Sequence, residues 1–552
     1  MATTIKLAAD IGGTFTDIVL ERGSERWSGK VLTTTAAPER GVIAGIRLVL
    51  EQSGLSPGQV GVFIHGTTLA TNALIERKGA RTAFITTEGF RDILEQGYEK
   101  RFDHYDLMID RAPPLVPRPL RLTVRERLSA DGEVLIPLDE GRIAAIAETI
   151  RREEVGAVAI GLLHAYAHDA HERRIRDLLA PLLPAHVTIC LSSEVAPEIR
   201  EFERFSTTVA NAYVRPLMAG YLHRLGDDLR HLGLTAPFFL MMSGGGLTTL
   251  ETAARFPIRL VESGPAGGAI LASQIAAECG LPEVLSFDMG GTTAKICLLA
   301  DGEPERARKF EIARAYRDMK GSGIPVRIPV IEMVEIGAGG GSLARVDDMQ
   351  RVQVGPDSAG SEPGPACYAR GGEHATVTDA DCALGLLDPQ RFAGGKVKLE
   401  PARADSAVLH DVAQPLKVDT ALGALAITEI VTENMANAAR VHAMELGKTV
   451  ENYTVIAFGG AAPLHAARLA DKLGVSRVVI PVGASVGSAL GFLTAPIAFQ
   501  AVRSWYQFIK TLDTAHANRL VDEMTQQAAK IVRTAAGNAP LTTTCDAYMR
   551  YA

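Results

Sequence analysis

The chain carries the stretch Asp-Ile-Gly-Gly-Thr-Phe-Thr-Asp at residues 10–17 and a close copy of it, Asp-Met-Gly-Gly-Thr-Thr-Ala-Lys, at residues 288–295. Each copy follows a short apolar run and precedes another, a pattern that predicts a β-hairpin whose turn is the Gly-Gly-Thr segment. One such copy is explained equally well as a tight hairpin with an Asx cap. Two copies in the same strand context instead indicate a duplicated unit whose turns can face each other.

The two predicted turns offer the groups that bind a phosphate and its metal ion. Paired glycines let backbone N–H groups approach an anion, and threonine hydroxyls can donate to it. An aspartate beside the turn can hold a hydrated Mg²⁺. We therefore predict that Asp10 and Asp288 are catalytic and position Mg²⁺ through water. The predicted phosphate-binding residues are Gly12, Gly13, Thr14, Thr16, Gly290, Gly291, Thr292 and Thr293.

Composition narrows the class of protein. At 552 residues the chain suggests three or four domains, and 47% hydrophobic with 22% charged residues is typical of a folded soluble protein. The net charge is −7 and no run of lysine and arginine occurs, which argues against a nucleic-acid partner. No apolar stretch of about 18 residues and no signal-peptide pattern is present, which predicts a cytoplasmic protein without a membrane segment. The six cysteines lack Cys-x-x-Cys spacing, which argues against a disulfide framework and a structural zinc site.

The first part of the chain alternates strand-like and helix-like runs, as expected of β-α-β units around a largely parallel sheet. The predicted strands span residues 59–65, 82–86, 155–163 and 187–191, and the predicted helices span residues 38–52, 69–77, 140–153 and 168–183. A long helix is predicted for residues 198–231, broken or restarted at Pro216 because proline removes a helical hydrogen bond. A second long helix is predicted for residues 422–446.

Three glycine-rich segments follow predicted strands or begin helices. Ser-Gly-Gly-Gly at residues 243–246 ends the predicted strand 238–242. Glu-Ser-Gly-Pro-Ala-Gly-Gly-Ala at residues 262–269 begins a small-residue helix that reaches about Cys279 and should cross between the two halves of the molecule. For Ser263 and Gly264, direct phosphate contact and a plain helix start both remain open. Gly-Gly-Ala-Ala-Pro-Leu-His-Ala at residues 459–466 ends the predicted strand 454–458.

The duplicated hairpin resembles that of the actin-like ATPase fold, which sugar kinases and Hsp70 chaperones share. The resemblance implies an α/β protein with two lobes around a nucleotide cleft, each lobe giving one phosphate loop. It also implies that Gly459, Gly460 and Ala461 receive the adenosine. The expected divisions are residues 1–200 for lobe I, 201–285 for the helices that complete it and cross between the lobes, 286–500 for lobe II, and 501–552 for the start of a C-terminal domain.

His65 and an acidic cluster are further candidates. His65 stands at the end of a predicted strand, at the edge of the sheet where α/β proteins bind ligands, so we predict a catalytic or ligand-binding role beside the alternative of a loop cap. A cluster of metal-ligand residue types occurs at His374, Asp379, Asp381 and Cys382. The two aspartates fit better as N-caps of a helix that starts near Ala383, which argues against zinc there.

The ordered motifs together resemble the A subunit of the hydantoinase/oxoprolinase family over roughly residues 5 to 500. They include His-Gly-Thr-Thr-Leu-Ala-Thr-Asn-Ala at 65–73, Gly-Ala-Gly-Gly-Gly-Ser at 337–342, the Gly- and Pro-rich loop 355–367 and Thr-Val-Thr-Asp-Ala at 376–380, beside the segments above. The resemblance implies ATP-driven, Mg²⁺-assisted opening of a cyclic amide or imide such as hydantoin, 5-oxoproline or caprolactam. It also implies a hetero-oligomer in which a B-type subunit carries the hydrolytic site.

Two other functions stay open at this stage. A related branch of the family couples ATP to the carboxylation of ketones such as acetone and acetophenone. An actin-like nucleotide switch without substrate chemistry is the third possibility, and the family-specific Gly/Pro loops count against it.

Three departures from the family pattern bear on these expectations. Ala462 stands where relatives have glycine, and its methyl group could narrow the approach to adenosine. The segment 481–485 lacks a second proline that relatives often carry. Relatives continue into a β-rich C-terminal domain, so residues 501–552 are expected to begin a domain completed elsewhere, with a helix at 514–535 and a strand-like tail at 541–551, while the ATP lobes fold without it.

Overall fold

A computed structural model describes residues 4–34, 37–98, 101–109, 111–316, 319–395 and 397–549. The strands up to residue 249 are β1 (Ile5–Ile11), β2 (Phe15–Arg22), β3 (Glu25–Leu32), β4 (Val60–Thr67), β5 (Thr82–Thr87), β6 (Arg121–Val124), β7 (Arg127–Leu128), β8 (Val134–Ile136), β9 (Ala157–Gly161), β10 (Thr188–Leu191), β11 (Phe238–Met241) and β12 (Leu247–Thr249). The later strands are β13 (Glu283–Met289), β14 (Ala294–Ala300), β15 (Glu303–Pro304), β16 (Arg306–Ala307), β17 (Phe310–Ile312), β18 (Ile324–Val326), β19 (Val330–Ile331), β20 (Val334–Ile336), β21 (Ser342–Val346), β22 (Val352–Ser358), β23 (Thr454–Phe458) and β24 (Val478–Val479).

The helices alternate with these strands. Those up to residue 279 are α1 (Pro38–Ser53), α2 (Leu69–Ile75), α3 (Ile93–Gln96), α4 (Ile143–Arg152), α5 (Ala170–Leu179), α6 (Ser192–Val195), α7 (Glu201–His231), α8 (Leu250–Arg255) and α9 (Ser263–Cys279). The later ones are α10 (Val377–Ala383), α11 (Pro401–Val408), α12 (Gln414–Leu416), α13 (Thr420–Glu445), α14 (Ala462–Leu473), α15 (Gly487–Phe492) and α16 (Thr514–Ala536). No helix of the described residues is both long and apolar enough to cross a membrane.

The two hairpins sit at matching places in two sheets of the same design. The first sheet has the order β12-β11-β4-β1-β2-β3, and the second has the order β15-β14-β13-β23-β24. β1 pairs antiparallel with β2 and parallel with β4, just as β13 pairs antiparallel with β14 and parallel with β23. The predicted duplication and the predicted actin-like α/β fold are therefore confirmed.

Helices α9 and α15 connect the two sheets. A methyl group placed on Gly491 of α15 would overlap the carbonyl oxygen of Gly267 in α9, so the two helices cross with their backbones in contact. Phe492 packs beside Gly66 of β4 and Gly267, and Phe458 of β23 packs beside Gly487. These side chains belong to a core between the sheets, separate from the cores of the two lobes. Glycine is needed at this crossing because a Cβ would force the helices apart.

Helix α7 corrects one prediction. It runs without interruption from Glu201 to His231 with Pro216 inside it. The cost of proline in a helix, about 3 kcal/mol, is offset by tertiary packing. Helix α7 packs against β9, β10 and β18 and has fully buried residues on many sides, including Phe205 and Tyr221.

Two further predictions near the second lobe and the C-terminus are wrong. Helix α10 begins at Val377 and not near Ala383, with Thr376 as its N-cap and Asp379 closing a capping box. Residues 541–549 form no strand, and Tyr551 lies outside the described residues. Helix α16 forms as predicted, yet none of its residues is buried. The divisions at residues 200, 285 and 500 stay predictions.

Candidate nucleotide site between the two hairpin turns

The two glycine turns face each other. A methyl group placed on Gly13 would lie 3.6 Å from Oγ1 of Thr292, and one placed on Gly291 would lie 3.1 Å from Oγ1 of Thr14. Thr292 and both glycines are exposed, while Thr14 is 7% exposed. The structure therefore brings the two predicted phosphate loops into one cradle.

The carbonyl oxygens of both turns accept hydrogen bonds from neighbouring segments of the chain. In the first turn, Thr33 donates from Oγ1 to the carbonyl of Gly12 (2.9 Å) and from its backbone N–H to the carbonyl of Thr14 (3.0 Å). In the second turn, the N–H groups of Gly340 and Gly341 donate to the carbonyls of residues 290 and 291 at 3.0 and 2.7 Å. Such support fixes the peptide planes so that amide N–H groups can converge on an anion.

The carboxylate of Asp10 lies between two glycines. Methyl groups placed on Gly66 of β4 and Gly264 of α9 would each lie 3.0 Å from one of its oxygens. Its Oδ1 is inaccessible to solvent and has no hydrogen-bond partner among the described residues. A buried, unsatisfied carboxylate oxygen is costly, and it is available as a ligand.

The carboxylate of Asp288 is held in the same way in the second lobe. Gly459 comes directly against its Oδ1, and a methyl group on Gly268 would lie 3.7 Å from its Oδ2. The side chain of Ser488 donates a hydrogen bond to it. Gly264 and Gly268 are one turn apart on α9, which is about 6 Å along the helix axis. One helix thus places the two carboxylates side by side.

Both carboxylates have a raised pKa. Burial, followed by the neighbouring charges of Asp17 and Asp288, raises the pKa of Asp10 to about 7. Burial likewise raises the pKa of Asp288 to about 6, against the lowering effect of Lys295. Groups with such shifts cluster at functional sites.

The nearby lysines are already engaged by other carboxylates. Lys30 lies 2.5 Å from Asp17, and Lys295 lies 3.2 Å from Glu262 and 3.4 Å from Glu335. The carboxylates of Asp10 and Asp288 form no ion pair with these lysines and are available to bind another cation.

These residues fit a magnesium ion. The described residues contain no group of three or more histidine, cysteine, aspartate or glutamate side chains arranged to hold a metal. Mg²⁺ does not require one, because it keeps several waters and is held by one or two carboxylates together with substrate phosphates. Asp10 and Asp288, beside the facing turns, supply that donor set.

The third glycine element lies next to the second turn. Gly459 has φ +96° and accepts no side chain, since a methyl group there would lie 2.6 Å from the carbonyl oxygen of Met289. A methyl group on Gly460 would meet nothing within 4 Å, so this residue borders open space. Ala461 donates its N–H to Met289 at 2.9 Å. Ala462 is fully buried in the core of the second lobe, so its methyl group does not narrow the cleft as the sequence suggested.

Some predicted site residues support the cradle from outside it. Thr16 is fully buried and hydrogen-bonds to Thr33 at 3.1 Å beneath the first turn. Thr293 accepts the N–H of Gly290 and closes the second turn. Ser263 binds both the N–H and the carbonyl of Thr67 through its hydroxyl, at 3.1 and 3.2 Å. These placements favour structural roles.

His65 lies inside lobe I. Its ring is fully buried, with Nδ1 3.0 Å from the carbonyl of Ala9 and Nε2 2.8 Å from the hydroxyl of Tyr221. Burial lowers the pKa of His65 to about 4, so the ring is neutral at neutral pH. Both ring nitrogens are occupied by the fold, and we assign no chemical step to this residue.

We expect His65→Phe to destabilise the protein by about 1–3 kcal/mol, because it leaves the Ala9 carbonyl and the Tyr221 hydroxyl without their partner. ATP turnover of the folded variant should stay within a few-fold of the parent.

The stability of the parent should also depend on pH through His65. Since the pKa of His65 in the folded protein lies below the unfolded value of 6.5, the free energy of unfolding of the parent should fall by up to about 3 kcal/mol as pH falls from 6.5 to 4. His65→Phe should lack that loss. Thermal melts at several pH values measure it. Lost turnover with an unchanged melting temperature would mean that His65 acts in catalysis.

Sequence reasoning missed several contributors to this site. The sequence marks Gly264 and Gly268 as glycines at a helix start, but it does not indicate that they lie against the two carboxylates. Their spacing of four residues was the available signal. Ser488 and Thr33 gave no signal, since they reach the site only through tertiary contacts.

Two lobes, each with a glycine turn that faces the other and a carboxylate beside it, have the arrangement of the actin-like ATPase fold. The chain belongs to the hydantoinase/oxoprolinase family. The profile described as Hydantoinase/oxoprolinase matches residues 204–501, and the profile of its N-terminal region matches residues 6–182. The resemblance drawn from the ordered motifs is thereby confirmed.

Particular relatives extend this likeness over most of the chain. This chain is 36% identical to an uncharacterized protein of Methanocaldococcus jannaschii, over 96% of this chain and 78% of that protein. It is 34% identical to the caprolactamase subunit alpha of Pseudomonas jessenii, over 90% of this chain and 70% of the subunit.

Two solved structures are similar in fold. The ATP-dependent caprolactamase of Pseudomonas jessenii superimposes with a TM-score of 0.83 at 31% identity. The nucleotide-free structure of acetone carboxylase, which carries out ATP-dependent acetone carboxylation, superimposes with a TM-score of 0.80 at 26% identity. Each match covers 96% of this chain and 76% of the other.

Proposed function

We propose that this chain is the ATP-using subunit of an enzyme that opens a cyclic amide or imide through a phosphorylated intermediate. The observation that carries the proposal is the pair of neighbouring, partly buried carboxylates at two facing glycine turns. The similarity to caprolactamase subunit alpha supports the choice of a lactam-type substrate.

The chemistry explains why ATP is needed. An unstrained amide is a poor electrophile, and opening it to an amino acid in water is close to uphill. Transfer of the γ-phosphoryl group to the amide oxygen gives an activated species with a good leaving group. Protein groups in such reactions act mainly by positioning and by stabilising charge.

The residues of the cradle divide this work. The N–H groups of Gly13 and Gly291, with the N–H and hydroxyl groups of Thr14 and Thr292, bind and orient the phosphates, whereas the N–H groups of Gly12 and Gly290 close the turns. Gly459 and Gly460 border the space for the nucleoside. Asp10 and Asp288 hold Mg²⁺, which when bound neutralises charge on the phosphates. Lys295, held by Glu262 and Glu335, adds a fixed positive charge near Asp288.

We propose further that ring opening requires a partner subunit. Outside the cradle, the described residues show no metal-binding cluster that could activate water. The similar caprolactamase chain is itself named as a subunit.

The purified chain with lactams or hydantoins, ATP and Mg²⁺ is expected to show slow ATP hydrolysis and no amino-acid product. Product is measured by chromatography, and released phosphate is measured in parallel. Adding a B-type subunit should give product in proportion to ATP consumed. Stoichiometric product from this chain alone would contradict the proposal that a partner is required.

A ketone carboxylase subunit is the second candidate, since the acetone carboxylase structure is nearly as similar in fold. The two functions differ in one measurable respect. Carboxylation incorporates labelled bicarbonate into the product, whereas ring opening does not. An ATPase rate that no lactam, imide or ketone changes, even with the partner present, would instead favour a nucleotide switch.

A further inference from the structure

A cavity of about 370 Å³ lies on the far side of helix α9 from the two carboxylates. Ser273 and Gln274 of α9 line it, whereas Gly264 and Gly268 contact the carboxylates from the other side of the same helix. The Gly-rich turn 244–246, which the nucleotide site does not use, forms another wall. This volume is in the range of small-molecule sites in proteins.

A partly buried cation, Arg259, lines the cavity. The guanidinium of Arg259 stacks over the ring of Phe499 at 4.5 Å, and its Nη1 donates to the carbonyl of Gln500 at 3.0 Å. No carboxylate of the described residues lies within 4.0 Å of it, the usual limit for an ion pair. Burial lowers the pKa of Arg259 to about 10, which leaves it charged at neutral pH.

Arg255, which lies four residues earlier at the end of α8, is a useful comparison. It also stacks on a neighbouring ring, that of Phe256 at 5.0 Å, but it is half exposed and lies 2.7 Å from Glu194. Removing a charge from water is costly unless a counter-charge compensates it. Arg259 makes no direct ion pair within the described residues, since Glu198, whose charge acts on it, is paired with Arg308 and Arg327. It borders a cavity that could hold a partner.

The remaining walls are largely apolar. Met242, Ile270, Pro329 and Ala498 line the interior. The polar pair Glu303 and Arg306, 3.7 Å apart and both well exposed, also borders the cavity. A bare inorganic anion would leave the apolar walls uncovered, whereas an anion with a hydrocarbon body would cover them.

We propose that this cavity binds a small organic carboxylate, with its carboxylate on Arg259 and a short apolar chain against Met242 and Ile270. The site is separate from the nucleotide cradle. Its walls come from the β11–β12 turn, from α9, from the segment around β15 and β16, and from residues 494–500.

Titration calorimetry of the full chain with hexanoate tests the proposal. We expect saturable binding to one site in the millimolar range or tighter, and no binding of hexylamine, which has the same chain and the opposite charge. Inorganic phosphate should bind at least tenfold more weakly than hexanoate. Absence of saturable hexanoate binding, or equal binding of hexylamine or phosphate, would overturn the proposal.

Two variants locate the site. Arg259→Gln should weaken hexanoate at least tenfold, and the matched Arg255→Gln should bind it like the parent. Because Arg259→Gln also loses the contact to Gln500 and could fold poorly, Thr494→Trp is the second variant. Thr494 is an exposed residue at the cavity, where a large ring should block entry without disturbing the core. Unchanged binding in a folded Arg259→Gln or in Thr494→Trp would show that hexanoate binds elsewhere and would refute the assignment.

Discussion

Asp10→Asn and Asp288→Asn are each expected to lose at least about 100-fold in ATP turnover while melting at or above the temperature of the parent. The turnover falls because each carboxylate is one of two that can hold Mg²⁺ against the phosphates. The melting temperature does not fall because each charge is held in a buried place at a cost, and the amide removes that cost.

Asp10 should make the free energy of unfolding depend on pH. The folded pKa of Asp10 is about 7, above its unfolded value of 3.8, so the folded protein binds the proton more tightly. Without Mg²⁺, the parent should lose stability as pH rises from about 4 to 7, by at most about 4 kcal/mol from this group. Asp10→Asn should lack that slope. Asp10 lowers stability as pH rises, whereas His65 lowers it as pH falls. Asp10→Asn and His65→Phe therefore separate the two contributions to the pH dependence of stability.

Steady-state phosphate release and thermal melts with and without Mg²⁺ measure these effects. Glu335→Gln is the matched control, because Glu335 is a half-exposed carboxylate that also contacts Lys295 but lies on β20. It should keep turnover within a few-fold of the parent. If Asp10→Asn and Asp288→Asn bind Mg-ATP and turn it over like the parent, the cradle is not the nucleotide site.

Local patterns were enough to predict the repeated hairpins, the strand Thr454–Phe458 and the helix that begins at Ser263. Each of these is set by short-range sequence signals, namely apolar alternation, glycine turns and small-residue spacing. The pairing of the two turns could be inferred only because the motif occurs twice.

The failures came where tertiary contacts decide the outcome. Proline disfavours a helix locally, yet α7 continues through Pro216 because it packs against β9, β10 and β18. His65 lies inside β4, two residues before its end, and not at the strand end as predicted. The direction of its side chain depends on Tyr221, more than 150 residues later. Ala462 points into the core for the same kind of reason. Residues far apart in sequence fix these features, and no window of the sequence contains both partners.

Gly459→Ala is expected to destabilise the protein by about 3 kcal/mol and to abolish nucleotide binding. Its φ of +96° is disfavoured for any residue with a Cβ. The new methyl group would also lie 2.6 Å from the carbonyl oxygen of Met289 and would press on Oδ1 of Asp288. β13 cannot yield easily, since it is paired on one side with β14 and on the other with β23. The strain must therefore move the Asp288 carboxylate or open the turn.

The next residue provides the control within the same turn. A methyl group on Gly460 meets nothing within 4 Å, and its φ is outside the range that requires glycine. Gly460→Ala should thus leave the melting temperature unchanged, and any loss of ATP affinity in it would report on the open space beside the turn. Thermal melts and ATP titration of both variants give the comparison. Equal melting temperatures for Gly459→Ala and the parent would show that the close approach of Gly459 to Asp288 and Met289 is not needed for stability.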